Sequence, residues 1–265
     1  DAGEFIIMAN PKHGQSLDEV KDLILAEIAK LRSGDFDESL LTGTINNLKL
    51  QMMNLMEENS DRADLYVQSF INGTDWADEV KRIDNLGKIS KQDVIEWACK
   101  YLADNNYAVV YKRQGEDRTV QKVSAPKITP IKSNRDVQSA FLAEIQAVEV
   151  EPIEPVYADF EKDMSIFNVK GVDVLYAQNK INDVTGITIE YNTGTESDPA
   201  LNLAFDYLSY LGTPTRSAEE IAQQMYQLAC NFGLSSGSNR TFISIYGLSE
   251  NMPEAMAIVE DLAYN

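Results

Sequence analysis

Histidine is all but missing from this chain: 265 residues contain one, His13. A lone imidazole cannot assemble a histidine-rich metal site, nor serve a serine or cysteine nucleophile placed far from it. Its setting, Asn10-Pro11-Lys12-His13-Gly14, reads as a solvated turn. Cysteine is nearly as scarce, with Cys99 and Cys230 alone. Both sit in apolar helix-like patterns and read as buried free thiols, with a disulfide or a reactive thiol as the alternative. No run of 18 apolar residues occurs, so no membrane-spanning helix is encoded. Positive charge is short as well: 23 Lys and Arg stand against 42 Asp and Glu, a net charge of −19. Such a balance excludes a phosphate-binding surface and hence a nucleic-acid partner. The deficit is −7 through Lys122 and −12 beyond it, so no single acidic tail accounts for it. It reads either as solubility or as attraction for basic peptides. No basic-then-apolar leader opens the chain, and the start at Asp1 instead of Met is expected to be a processing boundary.

What is present is an ordinary globular composition, 44% apolar and 25% charged, in a length that fits about two folding units. Gly3–Ala9 predicts a short strand, and Ser16-Leu17-Asp18-Glu19 a capping box. Val20, Leu23, Ile24, Ile28 and Leu31 follow at helical spacing. A long helix is expected over Glu38–Glu57, with Leu41, Ile45, Leu48, Met52 and Leu55 as its packing stripe. Further helices are expected at Asp61–Ile71 and Trp76–Asn85. Another follows Ser90-Lys91-Gln92-Asp93, with Val94, Ile95, Ala98, Tyr101 and Leu102 facing inward, and Tyr107–Arg113 predicts a closing strand.

Pro126, Pro130, Pro152 and Pro155 then interrupt regular structure, and six acidic residues stand against one basic residue between Glu149 and Asp163. This predicts an extended connector, with one helix near Asp136–Ala147 whose Val137, Phe141, Leu142 and Ile145 would dock on a neighbouring domain. Phe167–Gln178 and Gly186–Asn192 read as neighbouring strands, followed by a helix over Pro199–Leu211. Ser217-Ala218-Glu219-Glu220 caps a helix expected to run to about Asn231. Gly233-Leu234-Ser235-Ser236-Gly237-Ser238 reads as a turn, Thr241–Tyr246 as a strand and Asn251–Tyr264 as a helix. That turn follows a helix and precedes a strand, the reverse of a phosphate-binding loop. Glu219 and Glu220 lie in a first helical turn, where the helix dipole favours them without any acid–base role.

The segment Ala200–Ile221, ALNLAFDYLSYLGTPTRSAEEI, resembles the pitrilysin/insulinase family of inverted zincins, in which an H-x-x-E-H helix runs into a Gly-Thr turn and a capped helix. Gly212-Thr213 and Arg216–Ile221 fit that frame. Counted back from Gly212, Leu203 stands where the first zinc-binding His would be, Asp206 where the catalytic Glu would be, and Tyr207 at the second His. Leu203 has no lone pair, Tyr207 would have to ionise far below a pKa of about 10, and Asp206 is one methylene short. Gly3–Arg113, with its Gly34-Asp35-Phe36-Asp37-Glu38-Ser39-Leu40 helix opening, resembles the closing part of the family's second domain.

The resemblance implies an α/β (α+β sandwich) fold of helices packed on mixed sheets. Residues 1–122 would end a second peptidase-like domain, 123–165 would form an acidic linker, and 166–265 would start a third, noncatalytic and truncated domain. No zinc would bind in this chain, because the metal would belong to polypeptide ahead of it. The partners implied are the rest of the same polypeptide and a peptide substrate. By analogy with catalytic halves, Ser235, Ser236, Gly237, Ser238 and Thr241 are candidate peptide-binding residues, a flexible turn being the other reading. A catalytically inactive homologue acting as a binding or assembly subunit would carry the same features. The family's secreted bacterial members make the periplasm or cell envelope the location the resemblance implies.

Overall fold

The computed structural model of the protein describes residues 3–116, 119, 121, 123–131, 133, 135, 137–208 and 210–264. The expectations placed on Asp1, on Lys122 as a boundary and on Asp136 as a helix start lie outside these residues. In chain order the elements are α1 (Leu17–Ser33), α2 (Glu38–Glu57), α3 (Asn59–Asn72), α4 (Trp76–Val80), α5 (Arg82–Leu86) and α6 (Lys91–Tyr101). Then come α7 (Ala140–Gln146), α8 (Phe160–Asp163), β1 (Ser165–Val169), β2 (Val172–Tyr176), β3 (Val184–Tyr191) and α9 (Leu201–Leu208). The chain closes with α10 (Ala218–Gln227), β4 (Cys230–Ser236), β5 (Thr241–Leu248) and α11 (Met252–Tyr264). This is an α+β fold, and its sheets are antiparallel among the described residues. Spatially the chain groups as Asp1–Val109 with Asn179–Asn265 in one unit and Val110–Gln178 in another.

In the first unit several helix starts are fixed by side chains that satisfy otherwise orphaned amides. Ser16 with Glu19, Ser90 with Asp93 and Ser217 with Glu220 each form a reciprocal capping box, while Asp37 accepts from the Ser39 amide to open α2. β5 lies between β3 and β4. Thr241, Ile243, Ile245 and Gly247 point to one face of the sheet, and α10 and α11 close over that face with Ile221, Met225, Met252, Ala255, Ile258, Val259 and Leu262. Cys230, opposite Gly247 in the register, completes this core. A Cβ on Gly247 would come closer than 3.0 Å to the Ala229 carbonyl and the Cys230 Sγ, so only glycine lets the two strands approach here. A second cluster, Leu50, Val184, Ala229 and Leu248, joins α2 to the end of the sheet.

The second unit holds α7, α8 and the β1–β2 hairpin, which turns at Lys170-Gly171 with both φ angles positive.

Several expectations are corrected. Gly3–Ala9 and Tyr107–Arg113 are extended but pair with no strand among the described residues. The first is tethered instead by Phe5, edge-on to Trp97 at 5.6 Å. The helix expected over Trp76–Asn85 breaks at Lys81 into α4 and α5. Phe167–Gln178 is not a neighbour of β3: it folds back on itself as β1–β2, and β3 pairs with β5. The helix expected to reach Asn231 ends at Gln227, because β5 recruits Cys230–Ser236 as a strand. Cys230 is therefore buried on a strand and not a helix, and Cys99, on α6, is exposed with its thiol directed at the Arg32 carbonyl 3.5 Å away. Phe141, Leu142 and Ile145 of α7 are exposed. On α2 the deeply buried residues are Gly43 and Leu50, on the side opposite the expected stripe; Leu48, Met52 and Leu55 instead line a shallow hollow with Ile83 and Leu86.

Candidate functional site

α9 carries Leu203, Asp206 and Tyr207, the three positions that the resemblance aligns with a zinc motif. Leu201, Phe205 and Leu208 turn inward, Leu208 packing against the main core, while Leu203, Asp206 and Tyr207 lie on the exposed side. Leu203 and Tyr207 are four residues apart, so their side chains lie one above the other on that face. The helix thus presents an aliphatic group, a carboxylate and a phenol on its exposed side. Among the described residues no group of three or more His, Cys, Asp or Glu is placed to hold a metal ion. Ser217 and Glu220 are taken up in capping: the Ser217 amide donates to the Glu220 carboxylate at 2.7 Å, and the Glu220 amide donates to the Ser217 hydroxyl at 3.1 Å. Those bonds hold the Glu220 carboxyl below its ordinary range.

α9 runs alongside β4, and β4 is an edge strand. The ladder parity follows from two bonds: the Gly237 amide donates to the Arg240 carbonyl at 2.8 Å, and the Leu248 amide to the Ala229 carbonyl at 3.4 Å. In an antiparallel pair bonded residues alternate with non-bonded ones. Odd-numbered β4 residues therefore bond β5, and Phe232, Leu234 and Ser236 direct their N–H and C=O groups away from the sheet. Their side chains pack towards the helical face, with Phe232 and Leu234 against the core. Asn231, Gly233 and Ser235 are exposed on the other face.

The five candidate residues lie together around the β4–β5 hairpin but in unlike settings. Ser235 and Ser236 belong to β4 and not to a loop; Gly237 and Ser238 form the turn; Thr241 opens β5 and is buried. The Ser236 and Thr241 hydroxyls are 3.0 Å apart, and Thr241 donates to the Thr193 carbonyl at 2.9 Å. The turn is already in use: the Gly237 and Ser238 carbonyls accept the Thr195 and Glu196 amides at 2.9 and 2.8 Å. Arg240 pairs with Glu190 of β3 at 2.8 Å across the end of the sheet. The turn and Thr241 thus serve to fix the hairpin, and the open polar groups are those of β4. Phe232 and Leu234 were missed because the stretch was divided between a helix end and a turn. The alternation of Cys230, Phe232 and Leu234 with Asn231, Gly233 and Ser235 is the signal that marks it as a strand.

No helix among the described residues is long and apolar enough to cross a membrane. No protein-family model and no curated protein sequence matches the chain. Similar solved structures include a peptidase M16 inactive domain from Pseudomonas fluorescens, at 17% identity and TM-score 0.35, over 38% of this chain and 26% of that one. The periplasmic protease PqqL from Escherichia coli aligns over 92% of this chain and 30% of its own, at 12% identity and TM-score 0.35. A mutant of the ferredoxin protease FusC, in complex with Arabidopsis ferredoxin, aligns over 96% and 28%, at 11% identity and TM-score 0.37. The chain spans less than a third of the length of each of these three.

Proposed function

We propose that this chain is a noncatalytic inner portion of a zinc endopeptidase of the pitrilysin/insulinase type, contributing wall surface and main-chain contacts to an enclosed peptide site. In this reading residues 1–122 end one domain, 123–165 connect, and 166–265 begin a noncatalytic domain. Zinc and the catalytic glutamate belong to polypeptide ahead of it. The observation that carries the reading is the pairing of α9 with β4: a helix with Leu203, Asp206 and Tyr207 at zinc-motif spacing lies beside an open strand edge. An extended peptide can add to such an edge through its backbone, whatever its sequence. Phe232 and Leu234 offer one donor and one acceptor each. At a net worth of about 1 kcal/mol per hydrogen bond, such an edge gives weak, transient capture suited to a peptide that must move on. The excess of acidic groups favours basic peptides.

The test is amide hydrogen exchange with and without a basic, unstructured peptide. The expected result is slowed exchange at Phe232, Leu234 and Ser236, reduced in Ser236→Pro, which removes an outward N–H on the edge strand. Unchanged exchange along β4 at saturating peptide overturns the reading. The sequence of the full protein ahead of Asp1 separates a peptidase from an inactive binding subunit, since only the former carries H-x-x-E-H there.

A further inference from the structure

The long helix α2 and the C-terminal elements are far apart in sequence yet meet along a continuous seam. At one end Gln227 donates through Nε2 to the Ser39 hydroxyl at 2.7 Å. In the middle Asn46 Nδ2 donates to the Gln227 carbonyl at 2.9 Å and Asn47 Nδ2 to the Tyr226 carbonyl at 2.7 Å. These are carbonyls of the last turn of α10, which lacks a glycine cap, so α2 caps α10 from outside. Gly43 makes the approach possible: a Cβ there would lie 3.0 Å from the Tyr226 ring and 3.1 Å from the Gln227 Cα. At the other end the Tyr246 hydroxyl donates to Asn54 at 2.6 Å, Lys49 pairs with Glu250 at 2.9 Å, and Asn182 donates to Glu57 at 2.7 Å. From Ser39 to Glu57 the helix runs roughly 27 Å. A buried apolar patch, Leu50 against Val184, Ala229 and Leu248, lies within that length.

A surface with a buried apolar centre and a ring of satisfied polar pairs around it has the anatomy of a permanent interface. We propose that this face of α2 is a docking surface whose partner is segment 179–264 of the same chain, and that it holds the two pieces together without the covalent path through residues 110–178. The occupant is specified by the pairings themselves, since each of the named amides and carboxylates on α2 meets a defined group on the other segment. The proposal does not depend on the peptidase reading, because it concerns only how this chain closes on itself.

The test is a specific protease site introduced between Pro126 and Pro130 of the folded chain, followed by cleavage and size-exclusion chromatography with mass measurement. The expected result is co-elution of both pieces at the mass of one intact chain. Separation of the pieces at micromolar concentration overturns the proposal, and so does co-elution only at twice that mass, which would mean exchange between chains. Asn46→Ala combined with Asn47→Ala should weaken the association of the cut pieces by tenfold or more, with the α10 amides exchanging faster. Unaltered association in that double variant would show that the seam does not hold the pieces. The amide pair is chosen because it removes two of the seam's hydrogen bonds and leaves the close approach at Gly43 intact.

Discussion

Two antiparallel assemblies in this chain are built from similar alternating apolar sequences and meet different fates. In the β3–β5–β4 sheet, Ile243, Ile245 and Leu248 are buried, because α10 and α11 cover one face and α2 seals one end. In the β1–β2 hairpin, Ile166, Phe167, Val169, Val172 and Leu175 are exposed although the register is regular for all five pairs. Backbone pairing alone therefore buries little; a strand acquires a core only when an amphipathic helix is brought onto it. The same contrast separates the two sides of α2, where the side that meets α10 is buried at Gly43 and Leu50, while Leu48 on the other lines an open hollow.

The sharpest way to break that comparison is to truncate matched residues in the two assemblies. Ile245→Ala should cost roughly 2–5 kcal/mol in denaturant unfolding, as expected for a fully packed core residue. Ile166→Ala in the hairpin should stay within about 0.5 kcal/mol. Equal losses would mean that the hairpin is as well packed as the sheet. Next in size, Gly43→Leu should destabilise by roughly 1–3 kcal/mol, because its Cβ alone would lie 3.0 Å from the Tyr226 ring and 3.1 Å from the Gln227 Cα, and the rest of the side chain must push them apart. A neutral effect would show that α2 and α10 are not in contact. Ser217→Ala should cost about 1 kcal/mol by uncapping α10, read from the same unfolding curves.

The smallest effect is in the pH profile. Glu19, Asp93 and Glu220 are each held below their ordinary carboxyl range by bonds to the Ser beside them, backbone first for Glu19 and Glu220 and side chain first for Asp93. A lowered folded-state pKa means stability that is present above the ordinary carboxyl range and lost as pH falls through the folded value. Melting temperature should therefore be flat near neutrality and decline below the ordinary carboxyl range. In the Ser16→Ala, Ser90→Ala, Ser217→Ala triple variant that decline should be shallower. An identical slope in the two proteins would remove the serine hydroxyls from the explanation and leave the backbone amides as the cause.

Much of the helical framework was legible from local chemistry: the reciprocal capping boxes at Ser16, Ser90 and Ser217 mark helix starts wherever they occur. Strands were harder, because their existence depends on partners. Cys230–Ser236 divides in sequence between an expected helix end and a Gly-Ser turn, and its alternation becomes a strand where β5 pairs with it. Gly3–Ala9 has the composition of a strand and no partner strand among the described residues. The assignment of Leu203, Asp206 and Tyr207 to zinc-motif positions rests on the family resemblance of the Gly212-Thr213 and Arg216–Ile221 frame that follows them. The open edge beside it was not, since ladder parity is a property of the pairing and not of the residues. The α2 seam was also invisible, because Gly43, Asn46 and Asn47 look like solvent-facing helix residues until α10 is placed against them.

The central claim, that the metal chemistry does not belong to this chain, is most directly tested by equilibrating the purified protein with zinc, removing free metal by dialysis and measuring zinc by elemental analysis. The account predicts a content far below one zinc per chain, unchanged in Asp206→Ala. One tightly held zinc per chain, lost on substitution of side chains on α9, would contradict it.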